Sequence, residues 1–189
     1  LNPHSGWAAL QLAHCCAYLG EFDRGEVAAR KAIASQDSNT AGQRGLRIVG
    51  GYVRLGQIYY LQERYDDAVA EFYREIVALR GSNHAFKDRM EIEAHQRLLS
   101  AYTRQGNIDD AKLEYEEVLK GFESRTRAGA DDPFTRYYVA CAHAVMGDRD
   151  RALESLEFAA RLRPLFTSER AKIEVDLKSL SSESRFADL

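Results

Sequence analysis

Proline is scarce in this sequence, with three in 189 residues, and no apolar run approaches the ~20 residues that a membrane-spanning helix needs. With Ala, Leu, Glu and Arg recurring throughout, the scarcity of proline favours helix over strand. An excess of positive charge is also missing: 26 Lys and Arg face 29 Asp and Glu, for a net charge of −3. That balance gives no electrostatic case for nucleic acid or an anionic membrane as partner. Cysteine is limited to adjacent Cys15 and Cys16 and a distant Cys141. Neighbours on a helix point in different directions, so the pair reads as small buried apolar residues and not as a disulfide or metal motif. No signal peptide is visible, and the expected location is cytoplasmic. The chain opens on Leu1 and not on Met, so the expectation is a longer protein.

Catalytic motifs are missing too. There is no His-Glu-x-x-His, Cys-x-x-Cys or Gly-x-Ser-x-Gly, and Gly50-Gly51 lies inside what reads as a helix, without the Lys-Ser/Thr of a phosphate loop. His143 falls at an aromatic packing position. It and His95 fall on neighbouring helices, but no third ligand accompanies them, so neither metal nor cofactor is expected. The acidic pairs Asp66-Asp67 and Asp109-Asp110 read as helix starts favoured by the helix dipole. The arginine-rich stretches Lys87–Arg97 and Arg125–Arg136 are interleaved with acids and read as solvated faces.

What the sequence does contain is an internal repeat. Five positions recur with identical spacing: Leu12, Ala13, Cys16, Gly25 and Ala29; then Leu55, Gly56, Tyr59, Ala68 and Phe72. The third set is Leu98, Leu99, Tyr102, Ala111 and Tyr115, and the fourth Val139, Ala140, His143, Ala152 and Leu156. Successive copies are offset by 43, 43 and 41 residues. Gly20, Glu63, Gly106 and Gly147 stand at equivalent places, each followed three residues later by Asp23, Asp66, Asp109 or Asp150. A Gly just past a helix end can close it, and the Asp can accept from the first free N–H groups of the next helix. Asp23 and Glu26 also have the spacing of a capping box. Each unit therefore reads as two antiparallel helices joined by a tight turn. Small residues such as Gly56 and Ala68 sit at the crossing, and aromatic residues such as Tyr59 and Phe72 fill the wedges beside it. A lone hairpin leaves its apolar faces half covered, and stacking covers them.

The combination of Leu55-Gly56, Tyr59, Ala68 and Phe72, with Asp66 at the turn, resembles the tetratricopeptide repeat, here of a bacterial type with units of about 42 residues against a usual 34. The resemblance covers roughly residues 6–164. It implies an all-α fold, a right-handed superhelical stack of four antiparallel helix-turn-helix repeats at about 6–48, 49–91, 92–132 and 133–164. Pro164 matches the proline that often closes such repeats. Leu1-Asn2-Pro3 resembles the end of an earlier unit, which makes residues 1–5 a remnant. The extra length falls on candidate insertions at Gln36–Arg44, Gly81–Ala85 and Ser124–Asp132, each with Gly among polar residues. Glu75 occupies a place usually held by a small residue. Residues 165–189, with scattered apolar positions Ile173, Val175, Leu177, Leu180 and Phe186, read as a helical cap over the last unit.

In such stacks the first helices line a concave groove that takes an extended peptide or a partner helix. Helical spacing places the following residues on that face: Trp7, Leu10, His14, Ala17 and Tyr18; Val53, Gln57, Tyr60 and Leu61; Glu93, Gln96, Ser100, Thr103 and Arg104; Phe134, Tyr137, Cys141, Ala144 and Val145. The stripe is apolar and aromatic at its ends and polar in the middle. Tyr60 and Tyr137 would supply contact area, while Gln57, Gln96, Ser100 and Arg104 would pair with a peptide backbone or an acid. The resemblance thus implies a non-enzymatic protein–protein interaction scaffold binding another protein or peptide. The alternative is a regulatory or sensor module, for a peptide or small ligand, attached to an upstream enzymatic or signalling domain. Self-association through the exposed N-terminal end of the array is a further expectation.

Overall fold

A computed structural model describes residues 5–38 and 48–189. Leu1-Asn2-Pro3, expected to be the end of an earlier unit, and most of the first candidate insertion, from Asn39 onwards, lie outside the described residues. Among those described the structure is helical and no strand occurs. Four hairpins follow one another: α1 (Gly6–Leu19) with α2 (Phe22–Asp37), α3 (Gly51–Leu61) with α4 (Tyr65–Leu79), α5 (Lys87–Gln105) with α6 (Ile108–Arg127), and α7 (Pro133–Val145) with α8 (Arg149–Leu162). The tail forms α9 (Pro164–Ile173), a 3-10 helix (Val175–Leu180) and the short α10 (Ser184–Ala187). First helices neighbour one another in order, α1 on α3, α3 on α5 and α5 on α7, so they share one face of the stack. The chain is a tetratricopeptide-like stack of helical hairpins.

The repeated positions hold the hairpins together. A Cβ on Gly56 would come within 2.6 Å of the Phe72 ring and 3.1 Å of the Ala68 carbonyl oxygen, so only glycine permits this crossing. Ala13, Ala29, Leu55, Tyr59, Ala68, Phe72 and Leu98 share one apolar cluster; Leu99, Ala111, Val139, Ala140, Ala152 and Leu156 share a second. Tyr102 packs against both. The extra length enters partly as helix: α5 and α6 run 19 and 20 residues, and Ser124–Arg127 of the third insertion belongs to α6.

Turn chemistry differs from the sequence expectation in two respects. Gly20, Gly106 and Gly147 do take left-handed φ values of 74°, 76° and 82°, and Glu63 adopts 61° at the equivalent point without the benefit of glycine. The repeated aspartates, however, do not cap. They sit inside the first turn, and the caps are Glu21, Arg64, Asn107 and Asp148; of these, the Asn107 and Asp148 side chains accept from Asp110 N and Arg151 N. Asp23, Asp66, Asp109 and Asp150 therefore act through the helix dipole.

Gly50-Gly51 does not lie in the interior of a helix but straddles the start of α3, with Gly50 as the cap and Gly51 as the first helical residue. Gly50 has φ 98° and α3 begins after it. The reason is Glu75, fully buried on α4, whose carboxylate accepts from the N–H groups of Gly50 at 2.8 Å and Tyr52 at 3.1 Å and from Gln36 Nε2 at 3.1 Å. A charged side chain stands at a small-residue position because it caps the helix of its own hairpin partner. Burial pushes its carboxyl up from the ordinary range, against the pull of those donors.

Candidate partner-binding surface

The tail does more than cap the last hairpin. While α9 packs on α8, the 3-10 helix packs on α7, and the chain between Arg170 and Asp176 reaches all four first helices. Tyr137 on α7 donates to the Arg170 carbonyl at 3.3 Å. Tyr18 on α1 donates to Glu174 at 2.9 Å, and Tyr60 on α3 donates to Asp176 at 3.1 Å. On α5, Arg97 donates to both oxygens of Glu174 at 3.0 and 2.8 Å and to Asp176 at 3.3 Å. Gln96 and Ser100 each donate to the same Asp176 oxygen at 2.8 Å. Leu177 and Leu180 then fix the segment from behind, both fully buried, at roughly 1.5–3 kcal/mol apiece.

Electrostatics follow from that geometry. Burial opposes ionisation of Glu174, but the Arg97 guanidinium outweighs it and holds this carboxyl below the usual range. Asp176 is pushed the other way, first by burial and then by the Glu174 charge beside it. The phenols of Tyr18 and Tyr60 are raised by burial and by the carboxylates they face.

The segment divides the face that the first helices share. On one side lies a cavity of about 760 Å³ whose lining includes Trp7, Leu10 and His14 from α1, Arg54 from α3, Arg89 and Met90 from α5, Phe134 and Tyr138 from α7, and Phe166 and Arg170 from α9. On the other lies a depression of about 590 Å³ lined by Tyr60, Ser100, Thr103, Arg104, Val145 and Asp176 among others. Within the first, Arg54 is anchored: it pairs with Glu93 and donates to Gln57 at 2.8 Å and to His14 Nδ1 at 3.2 Å. Since a guanidinium can only donate, Nδ1 of His14 is the acceptor and its proton sits on Nε2. Burial, and then the nearby Arg54 charge, lower its pKa to about 2. His14 is neutral.

The residues expected on the groove thus separate into groups. Trp7, Leu10, His14 and Phe134 line the larger cavity. Tyr18, Tyr60, Gln96, Ser100 and Tyr137 bind the chain's own tail, and Arg104 donates to Tyr60 at 3.3 Å. Gln57 holds Arg54. Val53 and Cys141 are fully buried in the two apolar clusters, and Leu61 packs half-buried against the first. Of the polar residues in the middle of the stripe, Gln96 and Ser100 meet an acid, Asp176 of the same chain, whereas Gln57 meets Arg54 and Arg104 meets Tyr60. Arg54, Arg97, Arg170, Glu174 and Asp176 were absent from the expected set. Their signals were faint: Arg97 stands four residues after Glu93, Arg54 three before Gln57, and Glu174-Val175-Asp176 alternates acid and apolar.

His143 donates to or accepts from Tyr115 at 2.8 Å, and His95 meets Glu114 at 2.6 Å. Among the described residues no group of three or more His, Cys, Asp or Glu could hold a metal ion. No helix of the described residues is long and apolar enough to cross a membrane.

Residues 92–120, from the second turn of α5 to the middle of α6, match the family model described as tetratricopeptide repeat. This match makes the α5–α6 stretch similar to a tetratricopeptide repeat, a repeat that generally serves in protein–protein interaction. Among curated proteins, none matches the chain.

Proposed function

We propose that this chain is a non-enzymatic interaction scaffold whose partner, a protein segment, docks in the larger cavity of the concave face. The observation that carries this reading is the cavity's lining. Trp, Phe, Tyr and Arg converge there, the residue types in which binding energy concentrates. The floor of the groove is taken by the chain's own acidic segment, and of the two openings beside it the larger offers more room for another chain. Capture by the full-length protein tests it, comparing wild type, a Trp7→Ala, Phe134→Ser variant, and Leu113→Ser on the exposed face of α6. The cavity variant is expected to lose a partner that the other two retain. A folded cavity variant that keeps every partner overturns the reading.

A volume of about 760 Å³ also falls in the range of small-ligand sites. That supports the second reading, a sensor module regulating an upstream enzymatic or signalling domain. Thermal-shift screening against metabolites separates the two, and no shift with any of them counts against the sensor.

A further inference from the structure

The cavity holds more positive charge than it neutralises. Of its acids, Glu93 is paired with Arg54, and Glu169 with Lys172 at 2.6 Å. Arg89 and Arg170 make no ion pair among the described residues. Residues 1–4 and 39–47 contain no Asp or Glu, so those stretches bring no carboxylate side chain to either arginine. Arg89 lies between two rings, 4.4 Å over Phe86 and 4.7 Å over Phe134. Arg170 stands 5.0 Å from the centroid of Tyr137 and 5.5 Å from those of Tyr138 and Phe166. Among the described residues its one side-chain hydrogen bond is a long one, 3.4 Å to Tyr138, and its buried Nε finds no acceptor there.

Aromatic faces attract a guanidinium's plane but leave its in-plane N–H groups without acceptors. A buried donor left in that state is costly, and the group that satisfies two N–H donors of a guanidinium at once is a carboxylate or a similar planar anion. Two such guanidiniums stand against Phe86, Phe134 and Phe166, in a cavity that Trp7 also lines, so the same ligand must also cover apolar rings.

Resting on the docking reading above, we infer that the cavity binds a partner segment in which an aromatic side chain lies beside a carboxylate, with Arg170 and Arg89 receiving the anion and the rings receiving the side chain. Trp7 is the chain's one tryptophan and lines the cavity, so its fluorescence reports occupancy directly.

The test titrates the full chain with N-acetylphenylalanine, with its neutral amide and with acetate, following Trp7. The acid is expected to bind with affinity on the order of millimolar, at least tenfold tighter than either the amide or acetate. Arg89→Gln, at a half-buried position, should cut that preference to threefold or less with the fold intact. Arg170→Gln should abolish it, and Arg170→Lys should recover part of it, with helicity checked by circular dichroism. Equal binding of acid and amide overturns the anion assignment while leaving the docking reading in place. So does a preference that survives both Arg→Gln variants. No response to any probe also overturns the inference, and the docking reading is then decided by its own capture experiment.

Discussion

Arg97 and Glu174, 77 residues apart in the chain, meet as a two-pronged ion pair with both side chains about 1 % exposed. Such a pair adds little over a well-packed apolar substitute, but breaking it by removing one partner strands a charge. It is therefore a sensitive reporter of where the tail lies. Glu174→Ala leaves Arg97 with only Asp176, and a loss of roughly 3–5 kcal/mol is expected by urea denaturation. A loss below about 1 kcal/mol would mean that the tail does not occupy the concave face.

Acid should destabilise the fold through His14. Below pH 6.5 the unfolded chain carries a protonated imidazole there, whereas the folded chain keeps it neutral down to about 2. The unfolded state binds the extra proton, so stability falls with pH, approaching about 1.4 kcal/mol per pH unit. Glu75 and Asp176, both raised, pull the opposite way. The effect is therefore read as a difference between wild type and His14→Gln, in urea midpoints at pH 7.5 and 5.5. The two should diverge on going to acid, and parallel lines would contradict the neutral, buried imidazole.

Glu75 is expected to behave as a structural cap and not as a misplaced charge. Glu75→Ala orphans the Gly50 and Tyr52 N–H groups, at about 1–3 kcal/mol for each buried donor. Total loss should exceed about 2 kcal/mol, with hydrogen exchange accelerated first in residues 50–54. A small residue that proved neutral here would show that the start of α3 is held by other means.

Glu63 is the one non-glycine among the described residues with positive φ. Gly20, Gly106 and Gly147 show what the position prefers. Glu63→Gly should raise stability by roughly 0.5–1 kcal/mol, relief of the left-handed strain exceeding the added freedom of the unfolded chain. A fall in the thermal midpoint would contradict this.

The hairpins were legible because their rule is local and periodic: Gly56 must be small where Phe72 crosses it, and the same five positions recur in every unit. The same period placed Trp7, Leu10, His14 and Phe134 on one face, and these four line the larger cavity. The groove's occupant was not. Whether Glu174 and Asp176 fold back onto Arg97, Gln96 and Ser100 depends on contacts 76 to 80 residues apart, which no local period encodes. Glu75 looked like an exception because its reason, the free N–H groups before α3, belongs to another helix. The turn aspartates were misread by position: two residues past the cap, they face the dipole and not the free donors.

Hydrogen exchange across residues 173–181 tests most directly that the chain fills its own groove floor. The amides of Leu177 and Ser181, bonded to the Glu174 and Lys178 carbonyls, should exchange as slowly as the exposed ends of α5 and α7, and Glu174→Ala should speed them together with α3 and α5. Exchange at the rate of an unstructured tail, with α3 and α5 indifferent to that substitution, would contradict it.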